Sequence, residues 1–196
     1  MPVASDTIAV NTGPLIALAA CGGLDLLRKI HRHVLVPADV IEEFERGGPA
    51  VAPVTGLPSW LDVRVLRAPI APILIAHLDR GEAAAIALAL EAQVDLVAID
   101  ERRGRLVARE MGLTVTGTLG VLLRAKRLGL IDALGPRVTA MRQKGIWLGD
   151  MLVRRVLTEA GEPAPSGDGE GHGEVCERRT GGRFGRVRAV PRPWTH

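Results

Sequence analysis

The sequence LDRGEAAAIALALEAQVDLVAIDERRG, residues 78–104, decides the fold of this chain. It predicts a helix over residues 79–91 with Glu82 in its first turn, then a buried strand over 94–99 that ends at Asp100. In a parallel α/β sheet, the starts of helices that follow strands lie along the same edge as the carboxyl ends of the strands. We therefore expect Glu82 and Asp100 to share that edge.

Strand and helix patterns alternate on both sides of this stretch. Further strands are predicted by apolar, β-rich runs at residues 7–11, 34–36, 60–66 and 113–115, the third of them as a candidate edge strand. Further helices are predicted over residues 15–30 with a break near Gly22, and over 38–46, 101–111, 118–128, 132–144 and 149–160, with a short helix ending near His77. This alternation predicts an α/β fold, a three-layer sandwich with a mostly parallel central sheet of four to five strands.

Length and composition are those of an ordinary globular chain. With 196 residues, 47% apolar and 24% charged, the sequence predicts a single domain over residues 1–160. Residues 161–196 are rich in Gly, Pro and Arg and predict a disordered tail. There is no apolar run of membrane-spanning length, no secretory signal pattern and no disulfide framework, which favours a cytoplasmic protein without a membrane partner.

The charge balance is basic, with a net charge of +3 and a pI near 9.4. All but three of the 25 basic residues are arginines. Arginine is well suited to bidentate phosphate contacts, although the same composition can reflect coding bias. Charge alone is therefore a weak indication of nucleic-acid binding.

Four polar side chains fall where they can point to one sheet edge: Asn11 after the first strand, Glu43 in the helix after the second, Glu82 and Asp100. The three acids each have a structural alternative, since Asp100 can cap a helix, Glu82 can belong to a capping box and Glu43 can be solvated. Together they favour a divalent cation, because Mg²⁺ and Mn²⁺ prefer oxygen ligands and neutralise clustered carboxylates. Such ions promote phosphodiester hydrolysis. Other chemistries find no support, because no P-loop, dinucleotide-binding or serine-nucleophile motif follows a predicted strand.

Four segments of the chain match a known pattern: NTGPLIALA at residues 11–19, LDRGEAAAIALA at 78–89, LVAIDERRGR at 96–105 and VTGTLGVLLRAK at 115–126. Together they resemble the PIN-domain superfamily, and especially its PIN-like branch with NxSPLIxLA and LDxGEAxAIALA motifs. The resemblance covers residues 6–160 and implies an α/β fold. It also implies an endoribonuclease that depends on Mg²⁺ or Mn²⁺, often the toxin of a toxin–antitoxin pair.

The resemblance implies that Asn11, Glu43, Glu82 and Asp100 form the catalytic metal site, with Glu101 as an additional carboxylate. Thr12 supplies a hydroxyl beside the first ligand. The candidates for binding nucleic acid are Thr12 and the arginines Arg102, Arg103 and Arg105, and the alternative for these arginines is a solvated helix face. A small antitoxin and a second copy of the chain are the expected protein partners.

One position departs from the pattern of active PIN nucleases, which usually have aspartate where this chain has Asn11. Asparagine keeps a carbonyl oxygen but brings no negative charge, so the expected metal affinity falls. The alternative prediction is a catalytically weak or inactive PIN-like module that binds nucleic acid or a protein.

Overall fold

The fold is built on five parallel strands. The computed structural model describes residues 6–46 and 58–163, and the side chains of residues 43–46 are outside that description. The strands are β1 Thr7–Val10, β2 His33–Pro37, β3 Asp62–Arg64, β4 Leu96–Ala98 and β5 Thr114–Thr116. They form one sheet in the order β3-β2-β1-β4-β5, with every neighbouring pair parallel.

Nine helices lie in the described part of the chain. They are α1 Thr12–Ala20, α2 Leu26–Ile30, α3 Ala38–Arg46, α4 Pro72–His77, α5 Arg80–Glu91, α6 Arg102–Glu110, α7 Thr118–Arg127, α8 Gly135–Gln143 and α9 Asp150–Glu159. The predicted break near Gly22 is confirmed, because Gly22 has a φ of +64° and separates α1 from α2.

Helices cover the sheet on both faces, as side-chain alternation along the strands requires. In β1, Ile8 and Val10 belong to a core cluster that includes α1, α2 and α7 to α9. Ala9 points the other way, into a second cluster with α4, α5 and α6. The predicted three-layer α/β sandwich is therefore confirmed, with the sheet wholly parallel and five strands wide.

Strand order fixes where a site can form. The chain builds the sheet outward from β1 to β2 and β3, then returns to add β4 on the other side of β1. Open α/β sheets bind their ligands at such a reversal, in the crevice at the carboxyl ends of the two central strands. Here the reversal lies between β1 and β4. Asn11 comes after the end of β1, and Asp100 comes after the end of β4.

The C-terminal end of the described chain is held by Glu162. Its carboxylate accepts hydrogen bonds from the backbone N–H groups of Leu134 and Gly135, at 2.7 and 2.8 Å, and from Lys126 Nζ at 2.6 Å. Residues 164–196, most of the predicted tail, lie outside the described residues. No helix in the described ranges is long and apolar enough to cross a membrane.

Candidate functional site

The predicted site residues gather where β1 and β4 end. The backbone N–H of Asn11 donates to the carbonyl of Ala98 at 3.1 Å, and this hydrogen bond links the carboxyl ends of the two strands. Helix α5 packs against both β1 and β4 and carries Glu82 in its first turn. The fold thus brings Asn11, Glu82 and Asp100 to one edge of the sheet.

Asn11 is buried without an evident partner for its side-chain oxygen. It is 5% exposed, and its Oδ1 accepts no hydrogen bond from the described residues. Although Asn11 occupies the N-cap position of α1, its side chain does not cap the helix. An unpaired buried acceptor is costly, so this oxygen is free to accept a bond from a ligand or a water molecule.

Glu82 is the second buried acceptor. It is 3% exposed, and its Oε1 has no hydrogen-bond partner among the described residues. The predicted capping role is confirmed at the backbone, since Asp79 Oδ1 accepts from the Glu82 N–H at 2.7 Å. The carboxylate is held closely against α6, where a Cβ on Gly104 would lie only 2.3 Å from Oε1.

Burial perturbs the acidity of Glu82. It raises the pKa of this carboxyl to about 7, because the charged form loses its hydration, and the charges of Asp79 and Glu101 add to the effect. The Asp79 backbone N–H and the charge of Arg103 act in the opposite direction and lower the pKa, but they are outweighed. The side chain therefore exchanges its proton near neutral pH.

Asp100 is fixed by a residue on a neighbouring element. Its Oδ1 accepts from the backbone N–H of Thr118 at 2.7 Å, and its Oδ2 accepts from the Thr118 hydroxyl. The alternative role of Asp100 as a helix cap is wrong, since the N-cap of α6 is Glu101 and its side chain makes no capping bond. The carboxylate thus lies at the β4 exit with both oxygens oriented.

The remaining predicted acid is Glu43. It lies in α3, which packs against α1 and α5, but its side chain is outside the described part. Its neighbour Glu42 is exposed. The assignment of Glu43 as a ligand stays a prediction.

These donors fit a divalent cation. Asn11 and Glu82 each present a buried oxygen that lacks a hydrogen-bond donor, and Asp100 adds an oriented carboxylate after β4, the strand that pairs with β1. Oxygen-only ligand sets suit Mg²⁺ and Mn²⁺. The candidate set contains only two carboxylates and one amide, and across residues 6–46 and 58–163 no three His, Cys, Asp or Glu side chains form a metal-binding group.

The predicted RNA-contacting residues divide into two kinds. Arg102 and Arg103 are exposed in the first turn of α6, and Arg103 Nη2 lies 3.0 Å from Nδ1 of His77. Arg105 instead turns inward: its Nη1 donates at 2.8 Å to the carbonyls of both Ile99 and Thr116. Thr12 is 5% exposed, which is not the open position that a nucleic-acid contact requires.

Sequence reasoning missed three residues that shape the site: Gly104, Gly117 and Thr118. Gly104 makes room for Glu82, and a Cβ on Gly117 would lie 2.7 Å from Asp100 Oδ1. Thr118 holds Asp100 from 18 residues further along the chain. The signals for the last two were the run Thr116-Gly117-Thr118 directly after a short strand and its place in the motif segment at residues 115–126.

Comparison with known proteins adds one finding. A protein-family model described as a PIN domain matches residues 7–162, which includes all five strands and all nine described helices. No curated protein and no solved structure matches the chain.

Proposed function

The chain belongs to the PIN-domain family, and from that premise we propose that it is an endoribonuclease dependent on Mg²⁺ or Mn²⁺. PIN domains are nuclease-type modules that generally use divalent metal ions. The observation that carries the proposal is the pair of buried, unpartnered oxygens, Asn11 Oδ1 and Glu82 Oε1, at the edge where Asp100 lies. A divalent cation would coordinate both oxygens, for which the described residues supply no hydrogen-bond donor.

In this proposal Asn11, Glu82 and Asp100 hold the ion, and Glu43 completes the set. When bound, a divalent cation activates water and stabilises negative charge that develops on a phosphate. The overall reaction is hydrolysis: a water oxygen bonds to phosphorus, one P–O ester bond breaks, and the leaving oxygen takes up a proton. Asp100 contributes a carboxylate whose direction is set before any ligand arrives.

The proposed substrate is RNA, which the protein binds through the phosphates of the RNA backbone. Arg102 and Arg103 directly follow the strand exit and its two acids, so a phosphate at the site lies within reach of exposed guanidinium groups. Arg105 has its Nη1 committed to two backbone carbonyls, so we assign it to the scaffold rather than to RNA.

One observation favours a second candidate function. Asn11 brings no charge to the position where active PIN nucleases usually have aspartate, so a metal is held by fewer negative groups. The alternative is a PIN-like module that binds nucleic acid or a protein without cutting RNA. It predicts RNA binding or protein binding that does not change when EDTA is added.

The proposed biological setting is that of a toxin held by a small antitoxin protein, with the chain itself a homodimer. The support is the resemblance of the four motif segments to toxin-type relatives. Co-expression with the product of a short adjacent gene tests the pairing, and light scattering of the full chain tests the dimer.

The deciding experiment is cleavage of a mixed RNA pool by the full chain in Mn²⁺, Mg²⁺ or EDTA. Asp100→Asn is the test variant, because it removes the charge of the oriented carboxylate and keeps its shape. Asp132→Asn, the same change at an exposed loop position between α7 and α8, is the matched control. We expect metal-dependent cleavage by the wild type and the control, and none by Asp100→Asn.

Two results would overturn the nuclease proposal. Cleavage that persists in folded Asp100→Asn would remove the site from the reaction. Absence of cleavage by the wild type, together with absence of Mn²⁺ binding in calorimetry, would favour the non-catalytic module.

A further inference from the structure

Both carboxylate oxygens of Asp100 are met by a single residue. Thr118 donates its backbone N–H to Oδ1 at 2.7 Å and its hydroxyl to Oδ2. Thr118 is 1% exposed and begins α7 directly after β5, the strand next to β4. Its own position is therefore set by the core, and it does not depend on the mobility of a surface loop.

The backbone on both sides of this contact is braced by Arg105. Its Nη1 donates at 2.8 Å to Ile99 O, the residue before Asp100, and at 2.8 Å to Thr116 O, two residues before Thr118. The Ile99 N–H also donates to Thr116 O at 3.1 Å. The exits of β4 and β5 are thus tied together from two directions.

Gly117 lies directly against Asp100 and Arg105. Its φ of −149° is ordinary extended backbone, so glycine is not needed here for conformation. It is needed for space: a Cβ would lie 2.7 Å from Asp100 Oδ1, 2.8 Å from Arg105 Nη1 and 3.3 Å from the Ile99 carbonyl. We call Arg105, Gly117 and Thr118 the Asp100 bracket.

We infer that Thr118 is a positioning residue for Asp100, held in register by Arg105 and given room by Gly117. The bracket sets the carboxylate in one direction before a cation binds, so less ordering is left for the binding step. Asp100 is itself exposed, and an exposed aspartate without such partners samples several rotamers. The role of this orientation in cation binding rests on the proposed metal-dependent function. The orientation of the Asp100 side chain itself can be tested without metal.

The first test measures the Asp100 side chain in the metal-free full chain. Three-bond NMR couplings report whether its χ1 occupies one staggered state or an average. Thr118→Val replaces the hydroxyl with a methyl group of the same shape, so Oδ2 faces a group that cannot donate. We expect one rotamer in the wild type and in Thr118→Ser, and averaging in Thr118→Val. A single rotamer in Thr118→Val would overturn the inference.

The second test measures Mn²⁺ affinity by calorimetry in the same proteins. Loss of a residue that orients a metal ligand weakens binding by about 10- to 100-fold, and we expect this for Thr118→Val, with Thr118→Ser close to the wild type. The control is Thr158→Val on α9, an exposed threonine whose hydroxyl donates to Arg154 O at 2.9 Å. Equal affinity in wild type and Thr118→Val would contradict the positioning role.

The two readouts separate the failure of this inference from the failure of the proposed function. If the wild type binds no Mn²⁺, the metal-dependent function falls, while the couplings still decide whether Thr118 fixes Asp100. If the wild type binds Mn²⁺ and Thr118→Val binds it equally well, the function stands and the positioning role falls.

Discussion

Replacing Glu82 with glutamine is expected to stabilise the metal-free protein, and increasingly so as the pH rises. Burial raises the pKa of Glu82 from 4.5 to about 7. A group whose folded pKa is raised binds more protons in the folded state than in the unfolded one. The free energy of unfolding therefore falls as the pH rises between these two values, and the full penalty is present above pH 7.

The magnitude follows from that shift. Each pKa unit corresponds to about 1.4 kcal/mol, so ionised Glu82 costs the fold about 3 kcal/mol at pH 8 and about 1 kcal/mol at pH 5. A glutamine amide resembles the protonated carboxyl in shape and is never charged, so the Glu82→Gln variant escapes this cost. Its advantage over the wild type should grow by about 2 kcal/mol between pH 5 and pH 8.

Urea unfolding of the full chain in EDTA, at several pH values from 5 to 8, measures this difference. Glu110→Gln is the control, because Glu110 is exposed at the end of α6 and its replacement should change stability by less than about 0.5 kcal/mol at any pH. A Glu82→Gln difference that does not vary with pH, or a variant less stable than wild type at pH 8, would refute the reasoning.

Three further changes test other parts of the fold and the site. Asn11→Asp places a charge at a buried, unpartnered oxygen, so it should tighten Mn²⁺ binding in calorimetry and lower metal-free stability by about 2 kcal/mol at pH 8. Gly104→Ala puts a Cβ 2.3 Å from Glu82 Oε1, so urea unfolding should show a loss of about 1–3 kcal/mol where a helical glycine-to-alanine change usually gains stability. Burial raises the pKa of Glu162, but the bonds from Lys126 and Leu134 outweigh it and hold the pKa below its usual range, so Glu162→Gln should cost about 1–3 kcal/mol at pH 7. Denaturation series should show that cost shrinking as the pH falls through the folded pKa.

Much of the fold could be predicted because local chemistry and global topology agree. Asp79 followed by Glu82 marked the start of α5, and the structure has the Asp79 carboxylate on the Glu82 N–H. The continuous apolar run before Asp100 indicated a strand covered on both faces, and β4 is such a strand. Since parallel strands end at one edge, the same patterns predicted which edge carries the polar residues.

What the sequence could not supply is contact between residues far apart in the chain. Nothing local indicates that Thr118 bonds to Asp100, or that Arg105 turns inward to two carbonyls. The basic run 102–105 predicts one charged face, yet the turn of the helix directs Arg102 and Arg103 to solvent and Arg105 to the strand exits. The raised pKa of Glu82 has the same origin, since burial depends on how α5 and α6 pack.

Asn11 and the perturbed Glu82 are best understood together. Both are buried at an edge where the described residues offer their free oxygens no hydrogen-bond donor. A third carboxylate, at position 11, would add repulsion to a site that already raises the pKa of Glu82. Asparagine keeps an oxygen for a cation and avoids that cost in the metal-free fold, so the departure from the nuclease pattern can trade metal affinity for stability. The Asn11→Asp variant tests this explanation, because it requires the Mn²⁺ affinity to rise while the stability of the metal-free protein falls.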